Sequence, residues 1–260
     1  SRSLDAAIML IALAWSGFQL YTAGAGALPA IHQRSIHLAF ALLLCFFLSA
    51  ARLRLLGRHW EMRVSLLLAV LAPLTALYLT VFHQQLVERV GDPTALDVAV
   101  GACAILAILE ASRRSIGLAL PLVAAAFIFY AFAGPYLPDL VAHRGYSLRR
   151  LVDHLYFTTE GILGIPLAVS STFVFIFVLL GMFFQRVGTG GYLVRLSFSL
   201  LGHTAGGPAK ASVLASAFMG TISGSSIANA ATTGLITIPL MKRIGLRGEQ
   251  AAGVETAASG

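Results

Sequence analysis

Ser223, Ser225, Ser226, Asn229, Thr232 and Thr233 fall within one short run, GTISGSSIANAATTG, from Gly220 to Gly234. Neutral hydroxyl and amide oxygens suit a hard monovalent cation such as sodium. Gly220, Gly224 and Gly234 let the backbone turn so that carbonyl oxygens can join them. If two half-helices meet at this run, one C-terminal dipole end faces a cation and one N-terminal end faces an anionic substrate group. Such a site requires no buried carboxylate. The competing reading is packing, because Gly220 and Gly224, spaced small-xxx-small, allow close helix approach with no ligand at all. The density of hydroxyls favours the binding site.

These residues need walls of a particular kind. From Ala211 to Met241 there is no charged residue, so the polar centre interrupts an otherwise apolar segment. That pattern belongs to irregular backbone inside a membrane. The rest of the chain agrees: of its 260 residues 58% are hydrophobic and 11% charged, and the mean hydropathy is +0.84. The fold class expected is an all-α integral membrane protein, and several domains of soluble type are excluded. Apolar runs predict six spans, near Leu4 to Thr22, Ile36 to Ala51, Val64 to Phe82, Ala95 to Leu109, Ser115 to Ala133 and Gly164 to Phe184. The broken segment follows as a re-entrant helical hairpin. The first run is too long for a typical signal core and reads as a retained span.

The net charge of +7 reports topology rather than nucleic-acid binding, because the basic residues sit in short connections between apolar runs. With the N-terminus in the cytoplasm, thirteen of the 18 Lys and Arg lie inside, leaving Arg34, Arg89, Arg144, Arg149 and Arg150 outside. Both flanks of the broken segment then lie on the cytoplasmic face. Two arms of about a dozen residues, each too short to cross alone, make a hairpin that opens from the cytoplasm. Between the sixth span and the hairpin, Tyr192, Leu193, Leu196 and Leu200 recur at helical spacing. They fit a helix along the inner leaflet and equally a soluble loop helix. The connection from Arg52 to Arg63 reads as an electrostatic anchor to anionic headgroups.

Other ionisable residues have ordinary explanations. Glu160 suits a helix start before the sixth span, and Glu110 suits local pairing with Arg113 and Arg114. Glu255 lies four residues before Ser259, where a buried carboxylate would need a partner; its Ala and Gly neighbours imply packing, and its role stays open. The seven histidines lack metal-ligand spacing and read as interfacial, so no transition-metal site is expected. Cys45 and Cys103 lie in apolar runs and suggest packing. No phosphate loop or nucleophile elbow is formed, and no Lys or His base stands at membrane depth beside the serines, so no enzyme and no catalytic residue is expected.

The segment GGPAKASVLASAFMGTISGSSIANAATTGLITIPLMKRIG, preceded by TTEGILGIPLAVSSTFVFIFVLLGMFF, closely resembles the large membrane subunit of tripartite ATP-independent periplasmic (TRAP) transporters, especially fused permeases of the TAXI subgroup. The likeness is strong over residues 156–260. Residues 1–112 then resemble the four-helix small subunit, 113–150 a connector helix and periplasmic loop, and 151–260 the first portion of the large subunit. The resemblance implies a sodium-coupled secondary transporter of a bacterial or archaeal cytoplasmic membrane. It would import small anionic or zwitterionic organic acids or amino acids delivered by a periplasmic substrate-binding protein, through an elevator-like movement. By position, Ser223, Gly224, Ser225 and Asn229 belong to the first hairpin, where the family places sodium ligands and faces the substrate. The family's second hairpin would lie after Gly260, so the chain is expected to be the front portion of a longer permease. A channel, or another carrier with a re-entrant hairpin, is the alternative; a purely structural scaffold would leave the Ser and Asn cluster without a purpose.

Overall fold

The computed structural model describes residues 2–223 and 226–259, and of Arg2, Ser3, Ile222, Ser223, Ile227, Ala228, Ala231 and Thr232 the backbone only. Among the described residues every regular element is a helix, with no strand. The helices are α1 (Arg2–Ala25), α2 (Ala30–Leu55), α3 (His59–Val81), α4 (His83–Glu88), α5 (Ala95–Ile116), α6 (Ala119–Ala133), α7 (Leu148–Val152), α8 (Ile165–Val169), α9 (Phe175–Val187), α10 (Thr189–Leu201), α11 (Gly207–Ser223), α12 (Ser226–Arg243) and α13 (Gly248–Ser259). Among the described residues six stretches are long and apolar enough to cross a membrane: Leu4–Ala25, Ala30–Leu55, His59–Val81, Ala95–Ile116, Ala119–Tyr136 and Ile165–Val187. They coincide with the six expected spans. The sixth joins α8 and α9 through a π-helical turn at Ser170–Val174.

Local chemistry sets several boundaries. Thr94 caps α5 reciprocally: its Oγ1 accepts from the Asp97 amide at 3.2 Å, while Asp97 Oδ2 accepts from the Thr94 amide at 2.8 Å. Gly117, at φ +90°, ends the helix and delays α6 to Ala119, four residues past the expected start of that span. Two compact units result, Ser1–Phe173 and Val174–Gly260.

In the first unit, α2, α3 and α5 pack through small residues. Ala39, Ala50, Ala69, Ala72, Ala76 and Ala104 are all buried, the composition that lets helices approach where lipid removes any hydrophobic drive between them. The π-helical stretch Asp153–Phe157 docks on α5 at Gly101. A Cβ at Gly101 would stand 2.4 Å from Val152 Cγ1 and 2.9 Å from Tyr156 Cδ1, and both neighbours are fully buried. Gly101→Val is therefore expected to destabilise the protein by about 1–3 kcal/mol through overpacking. A thermal midpoint equal to that of the wild type would refute this contact.

The histidines are not uniformly interfacial. His37 is 3% exposed within α2. Its Nδ1 accepts from Trp15 Nε1 at 3.3 Å and Gln19 Nε2 at 2.5 Å, which leaves Nε2 to donate to Ser170 Oγ at 3.1 Å. Gln33 Nε2 donates to the Ser171 carbonyl at 2.9 Å, so side chains of α2 hold the π-helical turn of the sixth span. Hydropathy could not reveal these partners, because His37 and Ser170 are far apart in sequence. His143 accepts the Gly145 amide at 3.1 Å through Nδ1 and donates from Nε2 to the Tyr130 carbonyl at 3.0 Å. Glu160 does not start a helix; it lies exposed in the turn that precedes α8, whose N-cap is Gly164. Glu110 does pair locally, with Arg113 at 2.7 Å and Arg114 at 2.6 Å.

In the second unit, α10 buries Gly190, Val194 and Ser197 and turns Tyr192 and Leu200 outward. Helices α11 and α12 form an antiparallel pair: Asn229 meets Ser216 near the break, and Met241 meets Ser212 farther from it. The arms are 17 and 18 residues long, not about a dozen. The helices continue past the apolar stretch on both sides, through Gly207 to Lys210 in α11 and through Lys242 and Arg243 in α12. Length alone therefore does not prevent crossing, since about 17 residues are the lower limit for a span. Neither arm is among the six stretches long and apolar enough to cross a membrane.

Candidate functional site

Helix α11 ends at Ser223 and α12 begins at Ser226. Gly224 and Ser225, and the side chains of Ser223 and Thr232, lie outside the described residues. Ser226 is exposed at the start of α12, while Asn229 and Thr233 are buried one and two turns further on. Gly220 and Gly234, expected to turn the backbone, lie inside helices instead. Gly234 serves a close approach: a Cβ there would sit 3.3 Å from Glu255 Cγ and 3.2 Å from Ile238 Cδ1.

Three stripes of polar and small residues converge behind the break. Asn229, Thr233, Thr237 and Met241 lie at four-residue intervals on α12, and Ala251, Glu255 and Ser259 do so on α13. From α11 come Ser212 and Ser216, both buried. Residues four apart share a helix face, so each stripe is a continuous seam.

Asn229 is 2% exposed, and its Nδ2 donates to the Ser216 carbonyl at 2.9 Å and to Ser216 Oγ at 3.1 Å. A carbonyl only accepts, so the amide nitrogen must face Ser216 and Oδ1 must face away. That Oδ1 is buried and has no hydrogen-bond partner among the described residues. Ser216 Oγ lies 2.8 Å from Ser259 Oγ, and Ser259 Oγ lies 3.5 Å from Glu255 Oε1. Each hydroxyl has one proton to give, so the chain runs from the Asn229 amide through Ser216 and Ser259 to the carboxylate.

Glu255 is the acceptor at the end of that chain. Thr233 Oγ1 also donates to its Oε1, and Thr237 Oγ1 donates to its Oε2 at 2.5 Å. Its side chain is 2% exposed, and among the described residues no Lys, Arg or His forms an ion pair with it. A buried carboxylate is costly unless hydrogen-bonded, and here hydroxyl donors from two helices bond to it, in the charge-assisted class of hydrogen bond. A binding site at the run alone requires no carboxylate, yet one lies directly behind it. Sequence reasoning missed Ser212, Ser216 and Thr237, and it named Glu255 and Ser259 without giving Glu255 a role. The signal that finds them is the four-residue spacing of polar residues on α11, α12 and α13.

The arrangement suits a small cation better than an anion. Its buried polar atoms are hydroxyl oxygens, one amide oxygen without a hydrogen-bond partner among the described residues and a carboxyl group, with no guanidinium or ammonium among the described residues of the cluster. A family model described as "Tripartite ATP-independent periplasmic transporter, DctM component" matches residues 103–260, more than half of the chain. No curated protein and no solved structure matches it.

Proposed function

Because the chain belongs to the DctM-component family of tripartite ATP-independent periplasmic transporters, we propose that it forms the membrane permease of a sodium-coupled secondary transporter. It imports small anionic or zwitterionic organic acids or amino acids from a periplasmic binding protein. Asn229 Oδ1 carries the proposal: a buried amide oxygen oriented by the two hydrogen bonds of its amide nitrogen and without a donor among the described residues is an acceptor held ready for a ligand. Hydroxyl and backbone oxygens of Ser223, Gly224, Ser225, Ser226, Thr232 and Thr233 complete the donor set, which is the neutral-oxygen chemistry sodium prefers. The bound ion supplies the gradient's free energy to substrate uptake. The chain's own part is to keep the oxygens oriented and the substrate-facing break closed to water.

In this proposal α11 and α12 are a re-entrant hairpin opening from the cytoplasm, the N-terminus is cytoplasmic, and the protein resides in the inner membrane. Residues 1–112 act as a small-subunit scaffold, 113–150 as connector, and 151–260 as the first part of an elevator-like moving body. The count of Lys and Arg on the two sides supports this orientation.

The test is uptake into proteoliposomes holding the complete permease, with its cognate binding protein outside. Transport should require both an inward sodium gradient and the binding protein. Flux that persists without the binding protein would favour the channel alternative, and flux indifferent to replacing sodium by potassium would remove the coupling ion. Within that assay Ser225→Ala is expected to lower apparent sodium affinity by roughly fivefold, about 1 kcal/mol for one lost oxygen. An unchanged sodium dependence would exclude Ser225 from the site.

A further inference from the structure

A pocket of about 780 Å3 opens in the first unit where α2 ends, α3 begins and α5 ends. Its lining mixes two chemistries: Arg52, Arg58, Arg113 and Arg114 supply four guanidinium groups, and Leu48, Leu53, Leu56 and Val64 supply apolar surface. Trp60 lines it as well and is 74% exposed.

The positive charge there is not cancelled within the protein. Glu110 accepts from both Arg113 and Arg114, and Glu61 pairs with Arg58. Arg52 has no carboxylate within ion-pair distance among the described residues. Four guanidinium groups thus face two carboxylates, a surplus that favours an anion. The basic wall is also held in place. Arg114 donates to Ser49 Oγ at 3.0 Å and to Ser65 Oγ, and its guanidinium lies 5.3 Å over the Phe46 ring.

We propose that this pocket binds the phosphate headgroup of an anionic phospholipid, with Arg52 and Arg113 on the phosphate and the acyl chains running along Leu48, Leu53 and Val64. A free phosphate ion would be served by the arginines alone and has no use for the apolar wall. A lipid uses both halves at once, with Trp60 at the level where indole rings meet headgroups. The pocket joins the ends of three helices, so an occupant bridges α2, α3 and α5. This site stands independently of sodium coupling.

The experiment takes the complete permease in detergent and counts retained lipid by native mass spectrometry during titration with dioleoyl phosphatidylglycerol. Dioleoyl phosphatidylcholine and inorganic phosphate are added in separate arms. Phosphatidylglycerol should be retained in preference to phosphatidylcholine, and Arg52→Gln/Arg113→Gln should weaken it by about tenfold or more. Arg54→Gln removes the same charge at the same end but outside the pocket, and should leave binding unchanged. Arg52→Gln alone breaks no ion pair and should give a smaller loss in the same direction, which keeps the test valid if the double variant fails to fold. Equal retention of the two lipids would overturn the proposal, as would an equal loss in Arg54→Gln, which means diffuse surface attraction. Displacement of phosphatidylglycerol by equimolar inorganic phosphate would reassign the pocket to a free anion.

Discussion

Glu255→Ala is expected to lower stability by about 2–4 kcal/mol and to reduce uptake by about a hundredfold, whereas Glu255→Gln retains most of the stability. The carboxylate receives Thr233 and Thr237 from α12 and Ser259 from α13. Truncation to Ala removes the shared acceptor and leaves a void against Gly234, whose backbone lies close to Glu255 Cγ. The threonines have fallback acceptors in the Asn229 and Thr233 carbonyls, at 2.8 and 3.0 Å. Among the described residues the tie between α12 and α13 through Glu255 has no such substitute. Glutamine keeps the volume and one carbonyl oxygen, and its amide can donate to a threonine hydroxyl that has turned to its own helix. Thermal unfolding of the detergent-solubilised permease, compared across the three proteins, decides the matter. An Ala variant as stable as the wild type would mean the carboxylate does not hold α12 to α13, and a Gln variant as damaged as Ala would assign its role to charge rather than to bonding.

Asn229→Ala should raise the sodium concentration needed for half-maximal uptake by ten- to a hundredfold, about 1.4–2.8 kcal/mol, while the protein still accumulates in the membrane. The substitution removes the open Oδ1 and the two bonds that aim it, but it leaves the apolar residues of α11 and α12 untouched. Insertion depends on those apolar residues and not on one buried amide. Uptake as a function of sodium, with membrane content measured in parallel, separates the outcomes. Unchanged sodium dependence would show that Oδ1 is not a ligand, and loss of the protein from the membrane would show that Asn229 serves folding instead.

The spans were legible because membrane insertion responds to a sum over about twenty residues, and each apolar run from Leu4 onward supplies that sum within one window. Their ends were less legible. Helix α2 begins at Ala30 rather than near Ile36, taking His32, Gln33 and Arg34 into its first turns. Gln33 there finds the Ser171 carbonyl, and Arg34 donates to the Leu163 carbonyl. Both partners lie more than a hundred residues away, so no local window could count them. The hairpin arms were read too short for a related reason: polar and charged flanks of an apolar stretch can still be helical when their backbone groups bond along the helix.

The sequence by itself determined that the chain is all-helical and where six stretches are long and apolar enough to cross a membrane. Composition and hydropathy are properties of a segment, and they survive any arrangement of its neighbours. Only the tertiary structure decided that Asn229 turns its nitrogen to Ser216 and leaves Oδ1 open. It alone placed Glu255 behind Thr233 and Thr237 rather than among packing alanines. Which polar atom meets which depends on the rotation and register of α11, α12 and α13 against one another. The side chains of all three helices set that register together, and no single segment contains it.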